Sequence, residues 1–469
     1  MAQPEQVAQV PASPPALPAD DDENAILFSA VLSTLDKDQL PHLASAILRR
    51  VQPGLAAPEP KPSVGQPLYG SYHVLFPVTF DDGLRWLVKI PINGTAAKWD
   101  DLAASALACE ANTMRLLKRQ TSIPLPDVLD FSSTTENPLR CPYIVMTFID
   151  GVSLYDVWFG HHLAAASTEA TLSRRTRALQ GIASAMAQLS QFSFRAGGQL
   201  IFDDDGQPVD TGPIRQVDNK AMLDRWFIHK DPSDDPIYIE QPVSSDPQAY
   251  YTFMLDSHPE QKPIPKGLAL LVRQLITWIP QPNDIDPFVL AHPDVDIQNF
   301  LVSAEGDLKG IIDWDGVAAV PRTLGNERYP GWLTRDWDPA MYGYTESMDH
   351  GDEPEGVWED SPETLSSYRR IYEGLVSENC TGGKGSSESG ASLCRMSLIT
   401  ENLFIAVNDP ACRNDILRKV VAEIWAAAGK GEPPDIRELA AMFVEDNVED
   451  GVMDILCLGF KNLLEKEGL

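Results

Sequence analysis

The segment from His292 to Asp315 constrains this chain most, because it places acidic and amide side chains on both sides of a predicted hairpin. His292-Pro293-Asp294 is followed by Asn299, and then by Ile311-Ile312-Asp313-Trp314-Asp315. Short apolar runs flank Glu305-Gly306-Asp307, which is typical of two strands joined by a turn. Such a hairpin would return Asn299 and Asp313 to one edge, where a single cation could contact both.

This spacing suits in-line phosphoryl transfer. The reaction needs one carboxylate beside the attacking hydroxyl and oxygen ligands that hold Mg²⁺ against the phosphates of ATP. Asp294 suits the first role, and Asn299 and Asp313 suit the metal-binding roles. The alternative is a pair of ordinary β-turn aspartates with an asparagine that caps a turn. Further residues upstream favour the phosphotransfer interpretation.

A second predicted hairpin, from Tyr72 to Ile92, turns at Asp81-Asp82-Gly83 and carries Lys89 on its second strand. A lysine on a buried strand is costly unless anions surround it. ATP phosphates and Glu110, in the helical stretch from Ala103 to Lys118, would supply that charge. The alternative is a lysine whose stem packs on the surface while its amine stays in water.

Two weaker signals complete a candidate nucleotide site. Gly70-Ser71 is the predicted tip of a phosphate loop, since glycine lets backbone N–H groups approach phosphates. The run lacks the G-x-G-x-x-G spacing, and a plain surface turn is the alternative. The apolar strand that begins at Tyr143 ends in Asp150-Gly151. In a two-lobed kinase the last strand of the small lobe passes into the hinge at this point, so backbone groups of Thr147, Phe148 and Ile149 would bind adenine. A plain core strand is the alternative, and it is compatible with that role.

Taken in this order, Lys89, Glu110, the strand ending near Gly151, His292-x-Asp294-x₄-Asn299 and Ile312-Asp313-Trp314-Asp315 resemble the aminoglycoside phosphotransferase/choline kinase family. The stretch from Gly310 to Pro339 is similar to uncharacterised fungal members. The resemblance covers roughly residues 63 to 345. It implies ATP and Mg²⁺ as cofactors, Asp294 as catalytic base or hydroxyl-positioning residue, Asn299 and Asp313 as metal ligands, and Lys89 with Glu110 as the ion pair that orients the phosphates. Pro293 departs from the family, which often has glycine there.

The resemblance also implies an α+β, bilobal protein-kinase-like fold, with a small antiparallel-sheet N-lobe and a large, mostly helical C-lobe. We expect a disordered tail at 1–22, a helical extension and linker at 23–62, the N-lobe at 63–150 and the C-lobe at 151–469. Helices are predicted at about 393–408, 412–428, 434–446 and 450–465. Acceptor specificity is assigned to residues 212–265 and to these helices.

Composition narrows the partners and the location. The net charge of −31 repels nucleic acid and anionic lipid, so binding to nucleic acid or membranes is not expected. An acidic surface would suit a cationic substrate such as an amine or aminoglycoside, although solubility is the simpler explanation. The six cysteines include no C-x-x-C pair, and the N-terminal residues carry no targeting pattern. These features predict a cytoplasmic protein with free thiols.

The favoured function is a small-molecule kinase that phosphorylates a hydroxyl group. A catalytically silent, kinase-like binding or scaffold protein is the alternative, motivated by the poor phosphate loop. A protein kinase is disfavoured, because no Asp-Phe-Gly is followed by a segment that ends in Ala-Pro-Glu.

Overall fold

A computed structural model of the chain describes residues 26–54, 58–162, 167–233, 235–281, 286–379 and 390–465. The predicted tail at 1–22 lies outside these residues. In chain order, the helices of the described residues are α1 (Ser29–Thr34), α2 (Leu40–Val51), α3 (Asp101–Gln120), α4 (Leu154–Phe159), α5 (Thr168–Ala187), α6 (Asn219–Phe227), α7 (Pro247–Ser257), α8 (Pro263–Thr277), α9 (Glu346–Asp349), α10 (Pro362–Asn379), α11 (Gly390–Asn408), α12 (Arg413–Ala427), α13 (Ile436–Val444) and α14 (Asp450–Glu465).

The N-terminal lobe is built on a six-stranded antiparallel sheet. Its strands are β1 (Pro62–Val64), β2 (Leu68–Tyr69), β3 (His73–Phe80), β4 (Arg85–Pro91), β5 (Val128–Ser132) and β6 (Tyr143–Thr147). They run in the order β1-β3-β4-β6-β5, and β2 pairs with β3 beside β1. The β3–β4 hairpin is the predicted one, and its turn uses Gly83 at a φ of +92°. Strand β4, which carries Lys89, therefore lies in the middle of the sheet.

Helices cover both faces of this sheet because its side chains alternate with a period of two. On one face, Val74, Phe76 and Val78 pack against α1 and α2 in an apolar cluster. On the other face, Ile144 and Met146 join a cluster with α3 that continues into the rest of the molecule. Asp100 caps α3 by accepting a hydrogen bond from the amide of Ala103 at 2.7 Å. Helix α3 thereby places Glu110 against the sheet.

The second lobe is mostly helical, with short antiparallel strands where the chain enters and leaves the candidate site. These strands are β7 (Val152–Ser153), β8 (Ser193–Phe194), β9 (Gln199–Phe202), β10 (Pro208–Gly212), β11 (Ile214–Val217), β12 (Tyr238–Gln241), β13 (Phe288–Ala291), β14 (Phe300–Val302), β15 (Leu308–Ile311) and β16 (Ala318–Pro321). Strands β14 and β15 form the predicted hairpin, with Phe300 opposite Ile311. The architecture is the predicted α+β arrangement, and within the described residues every helix is too short or too polar to cross a bilayer.

Candidate active site

A catalytic-loop candidate follows β13 and is held by His292. This side chain is 1% exposed, its Nδ1 accepts from the amide of Asp294 at 3.1 Å, and its Nε2 donates to the carbonyl of Ile312 at 3.0 Å. Its ring lies edge-on to Trp314, with ring centroids 4.6 Å apart. Burial lowers the pKa of His292 to about 4. The neutral imidazole therefore joins the loop that carries Asp294 to the chain that carries Asp313.

Asp294 and Asn299 are hydrogen-bonded to each other. The Nδ2 of Asn299 donates to Asp294 Oδ2 at 2.8 Å and to the Asp294 carbonyl at 3.0 Å, and Gln298 Nε2 donates to the same Oδ2 at 3.0 Å. Both amide hydrogens of Asn299 are thus committed to Asp294, which leaves its Oδ1 available as a ligand. Asp294 is exposed to solvent at the surface of the loop. Its pKa is nevertheless raised, first by partial burial of the carboxylate and then by the nearby charge of Asp296.

Asp313 follows β15 in a left-handed backbone conformation, with a φ of +60° that is uncommon for a residue with a side chain. The amide of Ile312 donates to the Asn299 carbonyl at 3.0 Å, so Asp313 starts next to Asn299. Burial alone would raise the pKa of Asp313, but Lys89 and then His73 outweigh it, and the pKa is lowered. Asp313 is therefore ionised at neutral pH and half-exposed, as a metal ligand requires.

Lys89 connects the two lobes. Its Nζ lies 2.7 Å from Glu110 Oε1 and 3.1 Å from Asp313 Oδ1. Burial alone would lower the pKa of Lys89, but the charges of Glu110 and Asp313 more than offset it and raise that pKa. For Glu110 the balance is the reverse, because burial raises its pKa although Lys89 acts to lower it. The alternative of a lysine whose amine stays in water is excluded, because the side chain is 7% exposed and its amine lies beside two carboxylates.

Gly70 and Ser71 form the exposed turn between β2 and β3, at the N-lobe edge near the site. The amide of Gly70 donates to the His73 carbonyl at 2.9 Å. A Cβ added at Gly70 would lie 3.5 Å from that carbonyl oxygen, which is ordinary contact, so the backbone does not require glycine there. Next to this turn, His73 Nε2 lies 3.6 Å from Asp315 Oδ2 across the lobes.

The predicted adenine-binding residues lie where β6 leaves the sheet. The amide of Thr147 donates to the Asp127 carbonyl at 3.0 Å, and that of Phe148 to the Arg85 carbonyl at 3.1 Å. Among the described residues, the amide of Ile149 has no hydrogen-bond acceptor. Of the amides of these three residues, only that of Ile149 is thus open to a ligand within the described structure, because neighbouring chain segments already occupy the other two.

Residues 76–323, more than half of the chain, match the APH family, described as the phosphotransferase enzyme family. The chain belongs to this family. That membership, with the two-lobed architecture, confirms the predicted protein-kinase-like fold and the coarse assignment as a kinase-like phosphotransferase. The predicted roles of the individual site residues remain predictions.

Curated fungal relatives of this APH-family chain are distant and longer. The protein named altered inheritance of mitochondria protein 9, mitochondrial, from Candida albicans is 27% identical over 161 residues, which cover 34% of this chain and 25% of the relative. A subtelomeric hrmA-associated cluster protein of Aspergillus fumigatus is 24% identical over 59% of this chain and 61% of its own length. The chain thus aligns with less than two thirds of either relative.

Solved structures that resemble this APH-family protein include aminoglycoside phosphotransferase APH(4)-Ia in ternary complex with AMP-PNP and hygromycin B. It is 13% identical with a TM-score of 0.39, and the match covers 86% of this chain and 98% of that one. Plasmodium vivax ethanolamine kinase is 11% identical with a TM-score of 0.37, covering 94% and 98%.

The prediction of a cytoplasmic location is wrong. The altered-inheritance relatives, from Candida albicans and from Kluyveromyces lactis, are named as mitochondrial proteins. The prediction failed because free thiols and an acidic surface are compatible with any reducing compartment and do not single out the cytoplasm. Cys109, Cys141, Cys412 and Cys457 are free thiols in the structure.

Sequence reasoning missed the ion pairs that surround the catalytic-loop candidate. The guanidinium of Arg328 donates to the His292 carbonyl at 2.8 Å and lies 3.0 Å from Glu401 on α11. Asp296, two residues after Asp294, accepts from Arg335 at 2.7 Å. Each pair joins residues that are far apart in sequence, so no local pattern could have identified them.

A cavity of about 260 Å³ has Gln298, which donates to Asp294, in its wall. Its other lining residues are Ile297 and residues of α4, of the turns near Trp332 and of 357–365, and none comes from the 212–265 segment expected to bind the acceptor. A larger groove of about 600 Å³ lies between α5, the β14–β15 turn and the end of α10. None of the described residues that line either space is a candidate site residue, and Gln298 connects the smaller cavity to Asp294.

Proposed function

We propose that this protein is an ATP- and Mg²⁺-dependent phosphotransferase that phosphorylates a hydroxyl group of a small molecule. The observation that carries the proposal is the contact of Lys89 with both Glu110 and Asp313, which joins the two lobes at one buried cation. Asp294 and Asn299 lie on the adjoining loop. This is the set of side chains that phosphoryl transfer needs.

The donor atoms at this position fit Mg²⁺, which prefers a few hard oxygen ligands and shares its shell with phosphates and water. Asp313 offers an ionised carboxylate, and Asn299 offers Oδ1 because its Nδ2 is committed to Asp294. The described residues hold no cluster of three or more His, Cys, Asp or Glu side chains that would form an all-protein metal cage. When bound, Mg²⁺ would neutralise negative charge on the phosphates.

The chain's own groups then have distinct tasks. Lys89 would hold phosphate oxygens while Glu110 keeps the ammonium in place. Asp294 would orient the acceptor hydroxyl and take its proton, and its raised pKa makes it a better base than an ordinary aspartate. The amide of Ile149 would donate to adenine, and Gly70-Ser71 would lie over the phosphates.

The test is calorimetric ATP binding with and without Mg²⁺, on the wild type and on Asp313→Ala. Asp307→Ala is the matched control, because both side chains are 52% exposed and Asp307 lies in the β14–β15 turn. We expect the Mg²⁺-dependent part of the affinity to disappear in Asp313→Ala and to persist in Asp307→Ala. Tight MgATP binding by Asp313→Ala would refute the metal assignment.

A silent kinase-like binding protein is the second candidate, favoured by the phosphate-loop turn at Gly70, where the backbone does not require glycine. Steady-state ATP turnover with a panel of alcohols separates the two, with Asp294→Asn as the inactive reference. Nucleotide binding without turnover above that reference would favour the silent protein.

We also propose a mitochondrial location, on the strength of the relatives' names alone. Fractionation of cells that express the full natural protein tests it, and recovery in the soluble cytosolic fraction alone would refute it.

A further inference from the structure

Arg328 holds the peptide unit that leads into Asp294. Its Nη2 donates to the carbonyl of His292 at 2.8 Å and to the carbonyl of Pro293 at 3.2 Å. The N–H of the Pro293–Asp294 peptide donates to His292 Nδ1 at 3.1 Å. Both polar groups of this peptide therefore have a partner, and the proline ring restricts rotation just before it. These contacts set the direction in which the backbone presents the side chain of Asp294.

Glu401 on α11 holds Arg328 in turn. Nη1 of the arginine lies 3.0 Å from Glu401 Oε1, and the two side chains are 11% and 15% exposed. A buried guanidinium is costly unless a carboxylate and further acceptors surround it, and here Glu401 and two backbone carbonyls do so. The planar fork of arginine donors can serve a carboxylate and carbonyls at the same time, which the single ammonium of a lysine does less well.

Two more polar side chains of α11 hold the segment that carries Arg328. Ser397 is buried and accepts from the amide of Tyr329 at 3.0 Å. Thr400 is buried and donates to the carbonyl of Thr323 at 2.7 Å. With the glutamate, these residues are spaced three and four positions apart, so they share one face of the helix. This face of α11 thus contacts the segment on both sides of the arginine.

A purely structural role is the alternative, and Arg413 on α12 provides the comparison. It donates to the carbonyls of Ala406 and Val407 at 2.7 Å and 3.3 Å, and it lies 3.0 Å from Glu260. Its side chain is 5% exposed and that of the glutamate is 14% exposed. The two arginines are therefore buried and partnered alike. They differ in what they hold, because none of the partners of Arg413 is a candidate site residue or adjoins Asp294 in the chain.

We propose that Arg328 is a positioning residue for Asp294, and that Glu401 keeps it in place, so that α11 takes part in orienting the acceptor hydroxyl. The inference rests on the proposed function, in which Asp294 is the base, and it adds to that site two residues beyond the family match at 76–323. Both act through the backbone of the catalytic-loop candidate and not by contact with the reacting atoms. Their effect is therefore expected on kcat and not on the binding of MgATP.

Steady-state hydrolysis of MgATP, with water as the acceptor, tests the proposal. Arg328→Gln should lower kcat roughly tenfold to 100-fold and leave KM for MgATP within about twofold of the wild type, because a displaced base slows the reaction without changing nucleotide contacts. Arg328→Lys should recover part of the lost kcat, since its ammonium can still donate to a carbonyl. Arg413→Gln is the matched control and should leave kcat unchanged. Equal losses of kcat in the two glutamine variants would overturn the proposal.

A double variant separates positioning from a general loss of structure. In the Asp294→Asn background, Arg328→Gln should not lower kcat further, because the group whose position it alters is already disabled. A further fall as large as that in the wild-type background would overturn the proposal. If Arg328→Gln does not fold, Glu401→Gln replaces it, because it keeps the shape and an acceptor. It should lower kcat roughly threefold, since the charge-assisted contact is lost, whereas Glu260→Gln should not. Unchanged kcat in Glu401→Gln would overturn the role of Glu401.

Amide hydrogen exchange adds a readout that does not depend on activity. Arg328→Gln should speed exchange in the segment 292–299, and Arg413→Gln should speed it only where α11 meets α12. Unchanged exchange at 292–299 would overturn the proposal. The turnover of the wild type separates the two proposals. If the wild type turns over MgATP and the Arg328 variants match the control, this inference fails alone. If the wild type turns over MgATP neither with water nor with any alcohol of the panel, the proposed function fails and this inference falls with it.

Discussion

The buried, neutral His292 makes a specific prediction about stability at acid pH. Its pKa is about 4 in the folded protein, against 6.5 for an ordinary histidine. A group whose pKa is depressed by folding destabilises the fold once the unfolded chain can take up its proton. The contribution of the neutral His292 to the free energy of unfolding is therefore complete above pH ~6.5 and is lost as the pH falls towards ~4. Linkage gives a loss of about 2 kcal/mol between pH 7 and pH 5 and about 3 kcal/mol in full.

The assay is urea unfolding at several pH values for wild type and His292→Asn. Asparagine can still accept from the amide of Asp294, but it does not titrate. At pH 7 the variant should be less stable, because it loses the bond to the Ile312 carbonyl and some packing on Trp314. That difference should shrink by about 2 kcal/mol on going to pH 5, since only the wild type pays for its histidine.

Carboxylates that titrate in the same range contribute equally to both proteins and cancel in the comparison. His42→Asn, at an exposed position on α2, is the control and should follow the wild type across the series. A stability difference between wild type and His292→Asn that stays constant within about 0.5 kcal/mol from pH 7 to pH 5 would refute the reasoning.

Three further predictions concern other parts of the molecule. Asp296→Asn removes a charge that raises the pKa of Asp294, so the acid limb of the pH–rate profile for kcat/KM should move to lower pH; an unmoved limb would contradict Asp294 as the base. Glu110→Leu should lower the free energy of unfolding in urea by about 3 kcal/mol, because Lys89 then keeps only Asp313 as a partner. Combining it with Lys89→Met should recover much of that loss. A double variant less stable than the single one would show that the pair itself stabilises the fold. In thermal unfolding, Gly306→Ala should lower the stability of the fold by about 2 kcal/mol, since its φ is +92° and the new Cβ would lie 2.3 Å from the Arg174 carbonyl oxygen. Gly374→Ala, with open space around the new Cβ, is the control and should be neutral or stabilising.

Sequence reasoning located the candidate site because its residues lie in strong local patterns. Asn299 and Asp313 flank a hairpin whose two strands are apolar, so pairing of those strands brings the two residues together. Lys89 could be singled out because a lysine on an apolar strand requires anions. Its contact with Asp313 depends on how the two lobes meet, which local periodicity does not encode.

The C-terminal helices illustrate the same division. Their positions followed from the spacing of apolar residues, and the predicted 393–408 and 412–428 correspond to α11 at Gly390–Asn408 and α12 at Arg413–Ala427. The function of a single charged residue on them did not follow. Glu401 looks like any surface glutamate in the sequence, whereas the fold buries it against Arg328, and burial raises its pKa although the arginine opposes that rise.

The catalytic-loop candidate is held from two sides by parts of the chain that lie far apart in sequence. Within the family match, the imidazole of His292 donates to the carbonyl of Ile312, next to Asp313. Beyond that match, Arg328 donates to the backbone carbonyl of His292 and pairs with Glu401 on α11. An aspartate that must meet a hydroxyl within a few tenths of an ångström needs such support, because misplacement by about 1 Å can cost about 100-fold in rate. Under the proposed function, α11 would thus help to position Asp294, and the C-terminal helices would not be an appendage to a self-sufficient kinase core.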